Sequence, residues 1–559
     1  MALHRLFWCA GLAGGTLLAS AACRENLSPA RGPAAVVTVS PDSATVVAGD
    51  SVRLSATALN AAGSVIAGVS MAWSSTDTLV ARVRQDGTAL GLSPGVALIR
   101  ATADGRTGEA RLVVVVRVAG IGIAPSALTL VPGARYSLAA YAVDSVGSQL
   151  SRVTPTWTVT DSTVATVTDS GQVAAIGEGT AWVRAEREGM ADSVLVRSAR
   201  VRFTSVAAGS DLNTCAAGPD GAFCWGAEYG SGALGTGVAL WEQTTPAGVL
   251  GGQTLMQVSL GEGFACGLTA GGSAYCWGSS AYGRLGNGAS EAVVPRAVGV
   301  AGGPTLTTLR AGRRHACGVS VGGQIRCWGG NTTGALGVPI GTGTSAVPVT
   351  VAAPVPFVYV GTGYLHSCAL ATDGTAWCWG RGAQLGDSVG VARWEPGQVA
   401  GSQRFTQLSS GWNHTCGLTA DSLVYCWGFN TVGQSGVAGV DPVLVPTAVQ
   451  DSPRLASITA GYLATCGLTA SGEVWCFGWN QGGSLGTGDT VTTPTPRPAV
   501  PGYHFTSVSV GNQHTCGTSL DGLVYCWGTA EQGALGDGSS GGMRTTPVPV
   551  LGQRAAGLP

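Results

Sequence analysis

Seven times between residues 213 and 528 the chain repeats one cysteine-bracketed pattern, and this recurrence constrains its fold more than any other feature. The copies are NTCAAGPDGAFCWG (213–226), FACGLTAGGSAYCWG (264–278), HACGVSVGGQIRCWG (315–329), HSCALATDGTAWCWG (366–380), HTCGLTADSLVYCWG (414–428), ATCGLTASGEVWCFG (464–478) and HTCGTSLDGLVYCWG (514–528). Their leading cysteines, Cys215, Cys266, Cys317, Cys368, Cys416, Cys466 and Cys516, recur every 48 to 51 residues. A period of that length signals a propeller, a solenoid or an array. A thiol pair with a histidine two residues ahead of it could hold a metal, run redox chemistry or close a disulfide.

Each copy reads as an alternating run, a glycine-containing turn and a second alternating run, which is a β-hairpin. A glycine-rich turn follows, as in SGALGTG (231–237) and GGSLGTG (482–488). Proline–valine segments such as TTPVPV (545–550) and runs such as FTSVSVG (505–511) complete the unit. About four short strands per unit is the content of one propeller blade. Neither end of the array carries the polar capping repeat that an open solenoid needs, so the expectation is a closed ring of seven blades.

The recurring G-x-x-H-[TS]-C, D-G turn, C-W-G and G-x-L-G resemble the repeats of the regulator of chromosome condensation family, in the cysteine-bearing form of exported bacterial proteins. The resemblance covers roughly residues 201–552 and implies a fold; function sits on sites grafted onto folds. In a hairpin centred on Asp421, Cys416 and Cys426 stand opposite each other, where Cα atoms lie roughly 4.5–5.5 Å apart, within disulfide range. Closing such a loop contributes on the order of 2–3 kcal/mol. The expected pairs are Cys215–Cys224, Cys266–Cys276, Cys317–Cys327, Cys368–Cys378, Cys416–Cys426, Cys466–Cys476 and Cys516–Cys526. A metal is not expected: His315, His366, His414 and His514 are replaced by Asn213, Phe264 and Ala464 in the other units, which a ligand set would not survive. The histidines are expected to be structural, and no cofactor is expected.

Disulfides need an oxidising compartment. MALHRLFWCAGLAGGTLLASAAC begins with a basic n-region, runs apolar over 6–19 and ends in small residues, as a secretory signal (1–22) does. No later apolar run approaches membrane-spanning length. Of 16 cysteines, 14 pair and Cys9 leaves with the signal, so Cys23 is odd. ASAAC resembles a bacterial lipobox, with Ser20 where leucine is usual, and implies lipidation of Cys23 ahead of a short linker (23–34). The expected location is the cell envelope or outer surface, lipid-anchored or otherwise secreted.

Residues 35–200 repeat differently. Pro41, Gly49, Trp73, Gly87 and Gly95 recur 84 residues later as Pro125, Gly133, Trp157, Gly171 and Gly179. Alternating segments such as SVRLSATAL (51–59) suit two tandem β-sandwiches, 35–117 and 118–200. WSSTDTLVARV…GTALGLSPGVALIRA and its counterpart resemble group 2 bacterial immunoglobulin-like domains. This implies stalk or spacer modules with Trp73 and Trp157 in their cores. The fold class is therefore all-β: two immunoglobulin-like sandwiches, a seven-bladed propeller over 201–552 and a tail, 553–559.

Net charge is −1 and charged residues make up 11%, which excludes a basic nucleic-acid surface. Arg310, Arg313, Arg314 and Arg326 read as a solvated surface cluster. No G-x-S-x-G, H-E-x-x-H, Walker or dinucleotide motif appears, and the carboxylates of D-G turns such as Asp373 and Asp521 have turn duties. The position after the motif-opening glycine varies: Glu262, Arg313, Tyr364, Trp412, Tyr462, Asn512. Equivalent positions form a ring on one propeller face, and aromatic and arginine residues are typical interface anchors; the alternative is that they pack against the next blade. A light-sensing plant member of the family carries tryptophans at this position in several blades, whereas here Trp412 alone does. The expected function is a non-catalytic cell-surface binding or adhesion protein, a monomer gripping a protein or glycan. A secreted inhibitor of a hydrolase and a polysaccharide-acting enzyme are the alternatives.

Overall fold

The computed structural model describes residues 32–145, 147–150, 154–289 and 291–555. The expected signal peptide and Cys23 lie outside them. The chain divides into two compact units, one ending at Arg117 and one beginning at Val118.

The first unit is a sandwich. Ser43–Val47, Arg106–Val115, Gly95–Ala103 and Ala72–Ser75 form one sheet in that order, and two smaller sheets complete it. Alternation decides which face is buried: along Gly95–Ala103, Ala97, Ile99, Ala101 and Ala103 point inward while Arg100 points out. Trp73 packs in this core with Leu54, Ile99 and Leu112.

The second unit opens with the same design around Trp157, but this sandwich is not a separate spacer. Its strand Ala127–Leu130 pairs with Met190–Ser198 on one side and meets the strand Glu242–Gly248 of the propeller on the other, Leu130 opposite Ala247. The result is one eight-stranded sheet shared by sandwich and first blade. Tyr136, fully buried, lies 3.1 Å from Thr236 Oγ1 through its hydroxyl, and Gln243 Nε2 donates to the Arg135 carbonyl at 2.7 Å. One apolar core runs from Tyr136 and Trp157 to Phe203, Trp225 and Val550.

The propeller has seven blades of four antiparallel strands: residues 205–248, 255–299, 306–350, 357–398, 405–448, 457–499 and 505–549. In each, the first strand lines a central channel and later strands step outward. Every blade is built from consecutive strands, so no blade is shared between the two ends of the ring. The two ends also meet through a parallel bridge of Val201 with Gln553 and through Arg554 N–H donating to the Val201 carbonyl at 2.9 Å.

All seven cysteine pairs are disulfides between directly opposed residues, with Cα separations of 4.0–4.1 Å. In each blade the register shifts between the second cysteine and the following C-W-G or C-F-G glycine. The bulge frees the aromatic from the outer strand. The glycine is required there: φ is 98–110° at all seven positions. A Cβ on Gly428 would also stand 2.6 Å from the Asn413 carbonyl. The freed tryptophans are buried against the preceding blade. Trp277, Trp328, Trp379 and Trp527 donate their indole N–H to carbonyls of the preceding G-x-L-G turn at 2.8–3.1 Å, and Trp225 does so across the seam to Ala534.

Candidate binding face at the channel mouth

The motif-opening glycines form a close ring around the channel. A Cβ on Gly411 would meet the Gly461 carbonyl of the next blade at 2.3 Å and the His414 ring at 2.7 Å. Only glycine lets both the neighbouring backbone and the imidazole approach so closely.

Behind that ring, the four histidines join blades. His315 Nε2 pairs with Ser367 Oγ (2.9 Å), His366 with Thr415 Oγ1 (3.0 Å), His414 with Thr465 Oγ1 (2.8 Å) and His514 with Thr214 Oγ1 (2.8 Å). Three of these hydroxyls also donate to turn carbonyls of the histidine's own blade: Ser367 to Ala335, Thr465 to Gln434 and Thr214 to Ala534. Burial pushes the imidazoles down to about 3 (His366, His414) and about 4 (His315, His514), so they are neutral donors at neutral pH. Among the described residues no group of three His, Cys, Asp or Glu side chains could hold a metal.

The residues after the ring glycines stitch the face together through their backbones. The N–H of Tyr364 donates to the Trp412 carbonyl (2.8 Å), that of Trp412 to Gly461 (3.0 Å), that of Tyr462 to Gly511 (3.2 Å) and that of Asn512 to Gly209 (3.1 Å). Their side chains are half-buried. Glu262 and Arg313 form an ion pair, with 34% and 20% of their side chains exposed. The Arg313 guanidinium lies 4.2 Å from the Tyr364 ring centroid and 5.2 Å from that of Trp412. Tyr364 stacks on Trp412 at 4.7 Å, and Trp412 meets Tyr462 at 3.7 Å. Five of the six sequence-derived positions thus form one contact chain across five blades. The packing and the partly open surface belong to the same residues. Asn512 stands apart, its Nδ2 donating to the Ser210 carbonyl across the seam at 3.1 Å.

Burial lowers the Arg313 pKa from its ordinary value, reinforced by neighbouring Arg314, and raises that of the Tyr462 phenol, opposed by Arg313. The first unit carries one residue more between its ring glycine and its cysteine than the second, and Asp211 lies in that longer segment. Its Oδ2 accepts the Gly263 N–H at 2.7 Å, tying the first blade to the second, and burial raises its pKa.

The four arginines expected as one solvated cluster are dispersed. Arg310 lines the channel and lies over Tyr359 of the next blade, Arg313 sits in the aromatic chain and Arg314 lies over Tyr282 at 4.8 Å. Arg326 faces Gly318 and Thr350 on the outer hairpin. Among the described residues lining the channel there is no carboxylate, so the acid pair of a glycosidase is not found there.

The family model of the RCC1-like domain matches residues 221–556, and that of the bacterial Ig-like domain (group 2) matches residues 33–114. The ultraviolet-B receptor UVR8 of Arabidopsis thaliana is 30% identical over 202 residues, 34% of this chain and 45% of the receptor. Ice-binding protein 1 of Shewanella frigidimarina is 36% identical over 138 residues, 24% of this chain and 16% of that protein. The matches thus span less than half the length of either relative. Among solved structures, human WBSCR16 aligns with TM-score 0.53 at 19% identity, covering 59% of this chain and 93% of that one. Prp20p of Saccharomyces cerevisiae aligns with TM-score 0.53 at 21% identity, covering 62% and 87%. Both share the propeller fold.

Proposed function

Because the chain belongs to the RCC1-like domain family, we propose that it is a non-catalytic binding protein of the cell envelope whose propeller holds a partner protein at the channel mouth. The observation that carries this reading is the contact chain Glu262–Arg313–Tyr364–Trp412–Tyr462. Rings fixed by their neighbours and by a guanidinium have lost their conformational freedom before any partner arrives, which lowers the cost of binding. Arginine and large aromatics at the centre of a face are the residue types that dominate interface energies. Two relatives, a receptor and an ice-binding protein by name, fit a binding role. Seven disulfides fit an oxidising compartment, and lipidation at Cys23 would anchor the chain there. Inhibition of a hydrolase would use the same face, and a glycan would stack on the same aromatics.

A photo-crosslinking residue placed at Tyr462 of the full oxidised chain tests the reading in envelope extracts. A discrete protein adduct from position 462, absent when the probe sits at the exposed hairpin residue Val321, is the expected result. Equal labelling from both positions, or none from 462, would overturn it.

A further inference from the structure

The inner strand of each blade lines the channel, and the residue two before the ring glycine is among those on its wall. Four blades place Ser259, Ser409, Thr459 and Ser509 there, and the third blade places Arg310. We propose that the channel binds a small anion of the carboxylate or phosphate class, with Arg310 as its anchor.

Among the described residues Arg310 is a cation without a counter-charge. Its guanidinium lies over Tyr359 at 5.3 Å and gives one N–H bond to the Leu309 carbonyl at 3.0 Å. Among the described residues no carboxylate forms an ion pair with it, and none lines the channel wall. The channel's other arginine, Arg313, is neutralised by Glu262. A single sign of charge in a walled cleft focuses its field on whatever enters. The fork of guanidinium donors left over suits carboxylate or phosphate oxygens.

The neighbouring hydroxyls keep a proton to donate. Ser259 Oγ accepts the Ala311 N–H at 2.9 Å, Ser409 Oγ that of Ala460 at 2.9 Å and Ser509 Oγ that of Ala208 at 3.0 Å. Each oxygen is occupied as an acceptor by the next blade, and its own proton remains to be donated. The cavity, about 410 Å³, lies within the range of small-molecule sites. This site is on the channel wall and does not rest on partner binding at the mouth.

The test is calorimetric titration of the full oxidised chain at low ionic strength with inorganic phosphate, with succinate and with glycerol as a neutral comparison. One saturable site for phosphate or succinate and none for glycerol is expected; which anion binds tells a phosphoryl from a carboxylate ligand. Arg310→Gln should weaken that site by about tenfold or more, and Arg326→Gln should leave it unchanged. If Arg310→Gln does not fold, Arg310→Lys takes its place and should weaken binding several-fold through loss of the fork. Saturation by neither anion below about 10 mM, or affinity unchanged by the Arg310 variant, would overturn the proposal.

Discussion

His366 of the fourth blade and Thr415 of the fifth share a hydrogen bond at 3.0 Å between fully buried side chains. Equivalent bonds recur at three other blade junctions, including the seam where the ring closes. Four of the seven blade junctions are therefore joined by neutral histidines, and acid should loosen them.

The sign follows from the imidazole values. Unfolded histidine titrates near 6.5, whereas these four are pushed down to about 3 or about 4 by burial. As pH falls below 6.5 the unfolded chain takes up protons first, so their stabilisation is complete above 6.5 and is lost towards the folded values. The loss reaches at most about 1.4 kcal/mol per pH unit for each histidine. Buried Glu228, pushed up to about 7, acts oppositely: its contribution is present in acid and lost as pH rises through 7. Asp211, whose pKa burial also raises, acts in the same sense as Glu228, so two carboxylates stand against four histidines. The melting temperature should fall between pH 6.5 and 4.5, and His366→Gln with His414→Gln should flatten that fall. An unchanged slope would contradict the assignment.

The sixth blade has Ala464 in place of the histidine, although Thr515 of the next blade already donates to the Ser484 carbonyl at 2.8 Å. Val510 occupies the missing ring's space, its Cγ1 lying 2.5 Å from where a Cβ on Gly461 would be. Ala464→His alone should overpack the site and cost about 1–3 kcal/mol. Combined with Val510→Ala it should recover at least about 1 kcal/mol. Denaturant unfolding of the four chains measures the coupling, and simple additivity would refute it.

Replacing Cys416 and Cys426 together by alanine should cost about 2–3 kcal/mol, as expected for closing so short a loop. Thermal unfolding with and without a reductant checks this. A variant that melts as the parent does, and a parent insensitive to reductant, would show that the pair is not bridged in solution.

The shared sheet across Leu130 and Ala247 makes the second sandwich part of the propeller's fold. A chain truncated to begin at Arg202 loses the partners of Ala247, Thr236 and Gln243 and should melt several degrees below one beginning at Val118. Equal melting temperatures would restore the spacer reading.

The blade count, hairpin register and cysteine partners were legible in the sequence because a fixed period and opposed positions leave little choice. So was the ring position, since equivalent residues of successive blades must share one face. The histidine partners carried an unread signal: Ser367, Thr415, Thr465 and Thr214 precede the next unit's cysteine wherever a histidine stands, and Ala265 and Ala316 stand there after Asn213 and Phe264. What stayed hidden depends on which elements meet. Arg310 and Arg313 are three residues apart, yet one lies over Tyr359 with no ion pair among the described residues, while the other pairs with Glu262 and joins the aromatic chain. Nothing local in ALTL (127–130) indicates that it extends a sheet into residues 242–248.

Affinity capture from envelope extracts with the full oxidised chain as bait, against the same chain carrying Tyr364→Ala, Trp412→Ala and Tyr462→Ala, tests the binding face most directly. A partner protein held by the first bait and lost by the second is the predicted result. A partner held equally by both would contradict the assignment of the site and leave the aromatic chain a packing device.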